Sequence, residues 1–127
     1  MHTYETKKFN LPALEGISAK SVEEHLGLYA GYVKNFNAMT VLIGEYLKDA
    51  EKNAHAISEL VRRRSFEFGG MRLHEYYFAQ WENHSAELAI NSPLATALAK
   101  DFGSVDAAIM QIKQVGMMRG PGWSILY

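Results

Sequence analysis

Residues 22–47 read VEEHLGLYAGYVKNFNAMTVLIGEYL, and their apolar side chains recur at steps of three and four. This spacing gives one apolar face to a helix. Ser21 and Glu24 have the spacing of a capping box, which predicts that the helix starts there. A second apolar stripe runs from Ile57 to Trp81, after a polar stretch at 48–53 that we interpret as a turn. Two long stripes joined by a short turn predict an antiparallel helical hairpin.

The remaining segments are shorter. We interpret residues 1–20 as an extended arm, because Pro12 and Gly16 oppose a helix there. Residues 92–118 predict two short helices, and residues 123–127 predict a single β-strand. The predicted fold class is therefore mainly α, with the hairpin at 21–82 and one domain over 1–127. A lone strand cannot satisfy its own backbone, so either another chain or further sequence pairs with it, or the segment is a packed tail.

Composition excludes several classes of function. Thirteen basic and fourteen acidic residues give a net charge of -1, which removes the electrostatic argument for binding nucleic acid or a membrane surface. The absence of cysteine excludes disulfides and thiolate sites, and restricts a metal site to nitrogen and oxygen ligands. Without a membrane-length apolar run or a signal-like start, we expect a cytoplasmic protein.

Two histidines lie within the apolar stripes of different helices. His25 and His74 are therefore candidate metal ligands across the hairpin, whereas His2, His55 and His84 have polar or terminal surroundings. The alternative is that each is a partly buried imidazole bonded to a neighbour. Gly69 and Gly70 predict either a helix break or a close approach of backbone to another group. The arginines at 62–64 are interpreted as a solvated face with one stem packed inward.

Several short motifs occur in the order typical of one family. They are Leu11-Pro-Ala-Leu, Ile17-Ser-Ala-Lys-Ser with Glu24-His25, Tyr32-Val-Lys-Asn-Phe-Asn, Phe68-Gly-Gly-Met-Arg-Leu-His74, Phe102-Gly-Ser and Gly120-Pro-Gly-Trp123. From about Phe9 onward, the chain resembles the N-terminal, helical-hairpin part of the iron/manganese superoxide dismutases. The resemblance implies two histidine ligands from this part, and an aspartate and a third histidine from a C-terminal α/β domain.

The resemblance also implies roles for individual residues. His25 and His74 match the first two metal ligands. Tyr32 matches a tyrosine lining the substrate funnel, and Trp123 matches an aromatic wall of the metal pocket. Gly70 stands where many iron-type members carry a glutamine and manganese-type members carry glycine, which favours manganese or mixed metal use.

The chain departs from the family pattern at four places. Leu28-Tyr29 replaces a common histidine pair, and the interval from His25 to Tyr32 is one residue shorter than in many members. Phe78 and Ile125 stand where the family commonly has tryptophans. These changes concern the proton relay of the funnel rather than the two ligands.

The resemblance implies that superoxide is the substrate and that iron or manganese is the cofactor. The sequence has no Asp-x-x-x-His segment for the other ligands, so we expect a C-terminal half or a partner subunit to supply them. We also expect a homo-oligomer. Two alternatives remain: a non-enzymatic helical assembly module, and a homodimer that places four histidines around one metal.

Overall fold

The computed structural model of the protein describes residues 2–82, 86–120 and 122–127. The chain divides into two compact units, Met1–Ser85 and Ala86–Tyr127. Both units are built from helices, which confirms the predicted mainly α class.

The first unit is an antiparallel helical hairpin. Helix α1 spans Ala19–Tyr46, a short 3-10 helix follows at Leu47–Asp49, and helix α2 spans Ala54–Ala79. The side-chain contacts show the antiparallel direction: His25 meets His74, whereas Phe36, farther along α1, meets Phe68, earlier in α2.

Helix α1 begins earlier than the capping-box spacing predicted. Its N-cap is Ser18, whose side chain accepts a hydrogen bond of 3.1 Å from the Ser21 backbone N–H. Ser18 has extended backbone angles, as an N-cap residue requires, and Ser21 lies inside the first turn. The predicted start at Ser21 is therefore wrong, because an equally suitable hydroxyl three residues earlier satisfies the first turn.

The core of this unit lies between the two helices and the N-terminal arm. Tyr29, Val33, Met71 and Phe78 form a buried cluster. The arm, which has no regular secondary structure over residues 2–14, packs Phe9 against it.

Hydrogen bonds from side chains hold the arm in place. The Tyr4 backbone N–H donates to Asn37 Oδ1 at 2.9 Å, and Asn37 Nδ2 donates back to the Tyr4 carbonyl at 2.8 Å. The Asn10 backbone N–H donates to Glu82 Oε1 at 2.7 Å. The arm therefore satisfies part of its backbone without forming a strand.

The second unit contains helix α3, Pro93–Phe102, and helix α4, Val105–Gly116. Serine side chains cap both: Ser92 accepts from the Ala95 N–H and Ser104 from the Ala107 N–H. Gly103 separates the helices with φ of 88°, a conformation that favours glycine.

The structure does not show the strand predicted at 123–127. In the described segment 122–127 the backbone has no strand assignment, and Ser124 Oγ instead donates to the Ile112 carbonyl of α4 at 3.1 Å. A strand needs a neighbour to complete its ladder, and no described segment supplies one.

In the parts of the chain that the structure describes, we find no helix with the length and apolar character needed to cross a membrane.

Candidate metal centre

The hairpin brings the two candidate histidines together. The rings of His25 on α1 and His74 on α2 lie with their centroids 4.8 Å apart and their planes at 81°. Antiparallel packing of the two stripes produces this contact, since the residues are far apart in the chain. The structure thus places both predicted ligands at one point of the first unit.

A backbone hydrogen bond orients the ring of His74. This side chain is 5% exposed, and its Nδ1 lies 2.7 Å from the Gly70 carbonyl oxygen one turn earlier. A carbonyl only accepts, so Nδ1 carries the proton of this bond. In the neutral ring the lone pair is therefore on Nε2, the arrangement usual for a metal-ligating histidine.

The surroundings of His25 favour its neutral form. Burial lowers the pKa of His25, and the neighbouring His74 lowers it further. Because metals bind the deprotonated nitrogen of imidazole, an environment that opposes protonation also favours ligation.

Aromatic rings enclose the histidine pair. Tyr77 and Phe78 each lie 5.1 Å from His25, measured between ring centroids, and Phe78 is fully buried. Tyr32 lies 5.1 Å from His74 on the same measure. The predicted funnel residue is therefore in contact with one of the predicted ligands, and Phe78 forms an apolar wall beside the other.

Gly70 allows Tyr32 to reach this position. A Cβ atom at Gly70 would lie 2.9 Å from Tyr32 Cγ and still closer to two other ring carbons, whereas a Cβ at Gly69 would meet nothing within 4 Å. Helix α2 continues without a break through both residues. Of the two outcomes predicted for this pair, the structure shows the close approach.

A buried carboxylate next to His74 was not foreseen from the sequence. Glu75 is 4% exposed, accepts a hydrogen bond of 3.2 Å from the Tyr29 hydroxyl, and pairs with Lys7 at 2.9 Å and with Arg72. The Lys7 backbone N–H also donates to the Tyr29 hydroxyl oxygen at 2.9 Å. The position of Glu75 inside the apolar stripe of α2 was the sequence signal that it could be buried. Its partners could not be read from the sequence in the same way, because they come from the arm, α1 and α2.

Trp123, the other predicted site residue, belongs to the second unit. It lines a cavity of about 220 Å³ there, together with Gly122 and Ser124. The structure brings together His25, His74 and Tyr32, and the assignment of Trp123 to the metal pocket stays a prediction.

The donors of the hairpin fit part of a metal site. Two imidazoles suit iron among other transition metals, and together with a carboxylate they also suit manganese. Across residues 2–82, 86–120 and 122–127, no group of three or more histidine, aspartate, glutamate or cysteine side chains gathers in a way that could hold a metal ion. The described residues therefore bring together two candidate ligands, His25 and His74.

Sequence comparisons relate the chain to curated iron superoxide dismutases. It is 32% identical over 116 residues to that of Cupriavidus metallidurans, 29% over 132 residues to that of Aquifex pyrophilus, and 28% over 118 residues to that of Aquifex aeolicus. These alignments cover 89%, 99% and 89% of the chain. They cover 57%, 61% and 54% of the three relatives, so the chain spans little more than half their length.

No protein-family model matches the chain, and no solved structure matches it significantly. The three relatives confirm the resemblance to superoxide dismutases. All three relatives are named as iron enzymes, and the metal of this chain stays a prediction.

Proposed function

We propose that this chain, similar over most of its length to iron superoxide dismutases, contributes the histidine half of a superoxide dismutase site. The contact between His25 and His74 is the observation that carries the proposal. The reaction would convert two superoxide anions and two protons into dioxygen and hydrogen peroxide. Its metal would be iron, as in the named relatives, or manganese, as the glycine at position 70 favours.

The metal, when bound, would supply a centre that alternates between two oxidation states. His25 and His74 would hold it through imidazole nitrogens. An aspartate and a third histidine would complete the ligand set from outside these 127 residues, in a C-terminal half or a partner subunit. The apolar and aromatic surroundings support a site of restricted solvent access, which affects the redox potential of a bound metal.

The chain's own residues would position and shield the site. The Gly70 carbonyl holds the His74 ring in one orientation through Nδ1, and such bonds also raise the basicity of the ligating nitrogen. Phe78 excludes water beside His25. We assign Tyr32 to the lining of the substrate path because it contacts His74, and Trp123 to the wall of the same pocket from the family resemblance.

We do not propose that Arg72, two residues before His74 on α2, attracts the superoxide anion. Its guanidinium is paired with the buried Glu75, which offsets its charge within the first unit. This ion pair instead stabilises the buried carboxylate beside His74.

Metal titration of the purified chain tests the proposal. We expect calorimetry to show one Co²⁺ ion bound per chain in the wild type, and binding at least tenfold weaker in His25→Ala and His74→Ala. The matched control is His55→Ala, since His55 is an exposed histidine of α2 and lies outside the pair. Iron-loaded protein, assembled with the proposed partner that supplies the aspartate and third histidine, should lose dismutase activity in the same two variants only.

Other results would contradict the proposal in distinct ways. Equal Co²⁺ binding by all three variants would show that the pair is not a metal site. Two results together would identify a helical assembly module. The metal-free variant with both His25 and His74 replaced would fold and associate as the wild type does, and the wild-type assembly would have no dismutase activity. One metal per two chains, without any other subunit, would identify the four-histidine homodimer.

A further inference from the structure

We propose that the first unit contains a second binding site, for a small aromatic carboxylate, which neither the histidine pair nor the proposed dismutase activity uses. The site is a cavity of about 470 Å³ between the N-terminal arm, α1 and α2. Its lining includes His2 and Tyr4 from the arm, Phe36 and Thr40 from α1, and Arg64 and Phe68 from α2. Thr40 lies roughly 22 Å beyond His25 along α1, at about 1.5 Å per residue.

Three aromatic rings form the apolar wall of the cavity. Tyr4 lies 5.1 Å from Phe36 and 6.0 Å from Phe68, and Phe36 lies 5.6 Å from Phe68, all between ring centroids. The planes of Tyr4 and Phe36 cross at 75°, so an entering ring can meet one wall face-on and another edge-on. Such geometries are the favourable ones for aromatic pairs, and they indicate a planar, aromatic ligand.

Arg64 gives the cavity a positive charge. Its neighbours are neutralised, since Arg62 pairs with Glu59 at 2.5 Å and Arg63 with Glu67 at 2.7 Å. Among the described residues Arg64 forms no ion pair, and no carboxylate lines the cavity. A half-buried guanidinium without an acidic partner is suited to bind a planar carboxylate through two parallel hydrogen bonds.

Thr40 supplies a second polar group. It is 5% exposed, and its Oγ1 is buried with no hydrogen-bond partner in the described structure. A buried hydroxyl without a partner is unfavourable, and threonine in a helix divides between two χ1 rotamers. Rotation can therefore turn this hydroxyl towards a ligand oxygen. Ser65, which also lines the cavity, already donates its proton to the Val61 carbonyl at 3.0 Å.

The volume of the cavity agrees with this class of ligand. Small-molecule sites in proteins span about 300–1,000 Å³, are lined mainly by apolar and aromatic groups, and contain few polar groups that fix orientation. Three aromatic walls, one unpaired arginine and one unbonded hydroxyl meet that description. The charge and the hydroxyl would bind the carboxylate, and the rings would bind the aromatic part.

Calorimetric titration of the full chain with naphthoate tests the site. We expect saturable binding by the wild type, at least tenfold weaker binding by Arg64→Gln, and weaker binding by Thr40→Val, which keeps the side-chain shape. The matched control is Arg62→Gln on the same helix, which should bind as the wild type does. Naphthylmethanol, which lacks the charge, should bind at least tenfold more weakly than naphthoate.

Circular dichroism and Co²⁺ titration of each variant separate this proposal from the proposed function. All three variants should keep their helicity and bind Co²⁺ normally. The proposal is overturned by absence of saturable binding in the wild type, by equal binding of Arg64→Gln and Arg62→Gln, or by equal binding of naphthoate and naphthylmethanol.

Discussion

Gly70 shapes the candidate metal centre through the side chain it lacks. The Tyr32 ring lies in the space that a Cβ at this position would enter, and the Gly70 carbonyl accepts from His74 Nδ1. Gly70 thus leaves room for the Tyr32 ring that contacts His74, and its carbonyl fixes the tautomer of His74. The glutamine found here in many iron-type members could not be accommodated unless Tyr32 moved.

Substitution of Gly70 should therefore be costly in a way that substitution of Gly69 is not. Alanine at either position gains about 1 kcal/mol of helix propensity over glycine. At Gly70 it also forces the Tyr32 ring to move, and overpacking of this kind costs about 1–3 kcal/mol. Denaturant unfolding should show Gly70→Ala less stable than Gly69→Ala by about 1–3 kcal/mol. Equal stability of the two variants would show that the Tyr32 ring moves aside without a measurable cost in stability.

Residue-level chemistry was only partly accessible from the sequence. His25 and His74 were predicted as a pair because helical periodicity places each on an inward stripe. The ion pair of Glu75 with Lys7 was not predicted, because Lys7 reaches it from an irregular arm for which no periodicity applies. Side-chain partners across irregular backbone depend on the packed structure.

At the scale of elements, the start of α1 shows how a local signal can be read at the wrong residue. Ser18 and Ser21 both suit an N-cap, and their hydroxyl oxygens lie 2.9 Å apart. Only Ser18 has extended backbone and accepts a hydrogen bond from the N–H three residues later. Sequence spacing alone did not distinguish them, because both are followed by helix-forming residues.

Replacement of the two serines should separate their roles. Ser18→Ala removes the cap and should lower the free energy of unfolding by about 1 kcal/mol, within the 0.5–2 kcal/mol usual for such caps. Ser21→Ala removes an exposed hydroxyl and should change it by less than about 0.5 kcal/mol. Thermal denaturation of both variants measures the difference. A larger loss of stability in Ser21→Ala than in Ser18→Ala would indicate that Ser21 caps the helix, as predicted from the sequence.

The end of the described chain shows that local sequence composition alone does not predict a strand. Residues 123–127 have the β-branched and aromatic composition of a strand, yet they form none and contact α4 through Ser124 instead. Strand propensity measures fit to a sheet, and its outcome depends on a partner. Helices satisfy their own backbone, and for this reason the helical elements were easier to predict.

At the scale of the molecule, each of the two compact units contains buried apolar residues of its own. The core of the first unit includes Tyr29, Met71 and Phe78. The described buried residues of the second unit are Ala95, Leu98 and Ala108. The candidate metal pair and the carboxylate cavity both belong to the first unit. Damage to the second core should therefore leave the contact between His25 and His74 and the carboxylate cavity formed.

Hydrogen exchange can measure this independence. Leu98→Ala removes a buried side chain of α3 and should weaken amide protection in residues 93–116 by about 2 kcal/mol or more. Protection in α1 and α2 should not change. Leu94→Ala is the control, because Leu94 is half exposed on the same helix. Equal loss of protection in α1 and α2 would show that the chain unfolds as one cooperative unit.

The sequence by itself determined the helical hairpin, the two short helices and the two histidines on facing stripes, because helix periodicity and capping act over a few residues. Only the tertiary structure decided that Tyr32 packs against Gly70, that Glu75 is buried among cations, and that Arg64 and Thr40 share a cavity. These features join the arm, α1 and α2, segments that are distant in the chain. They depend on how packed surfaces exclude water and leave particular polar groups without partners.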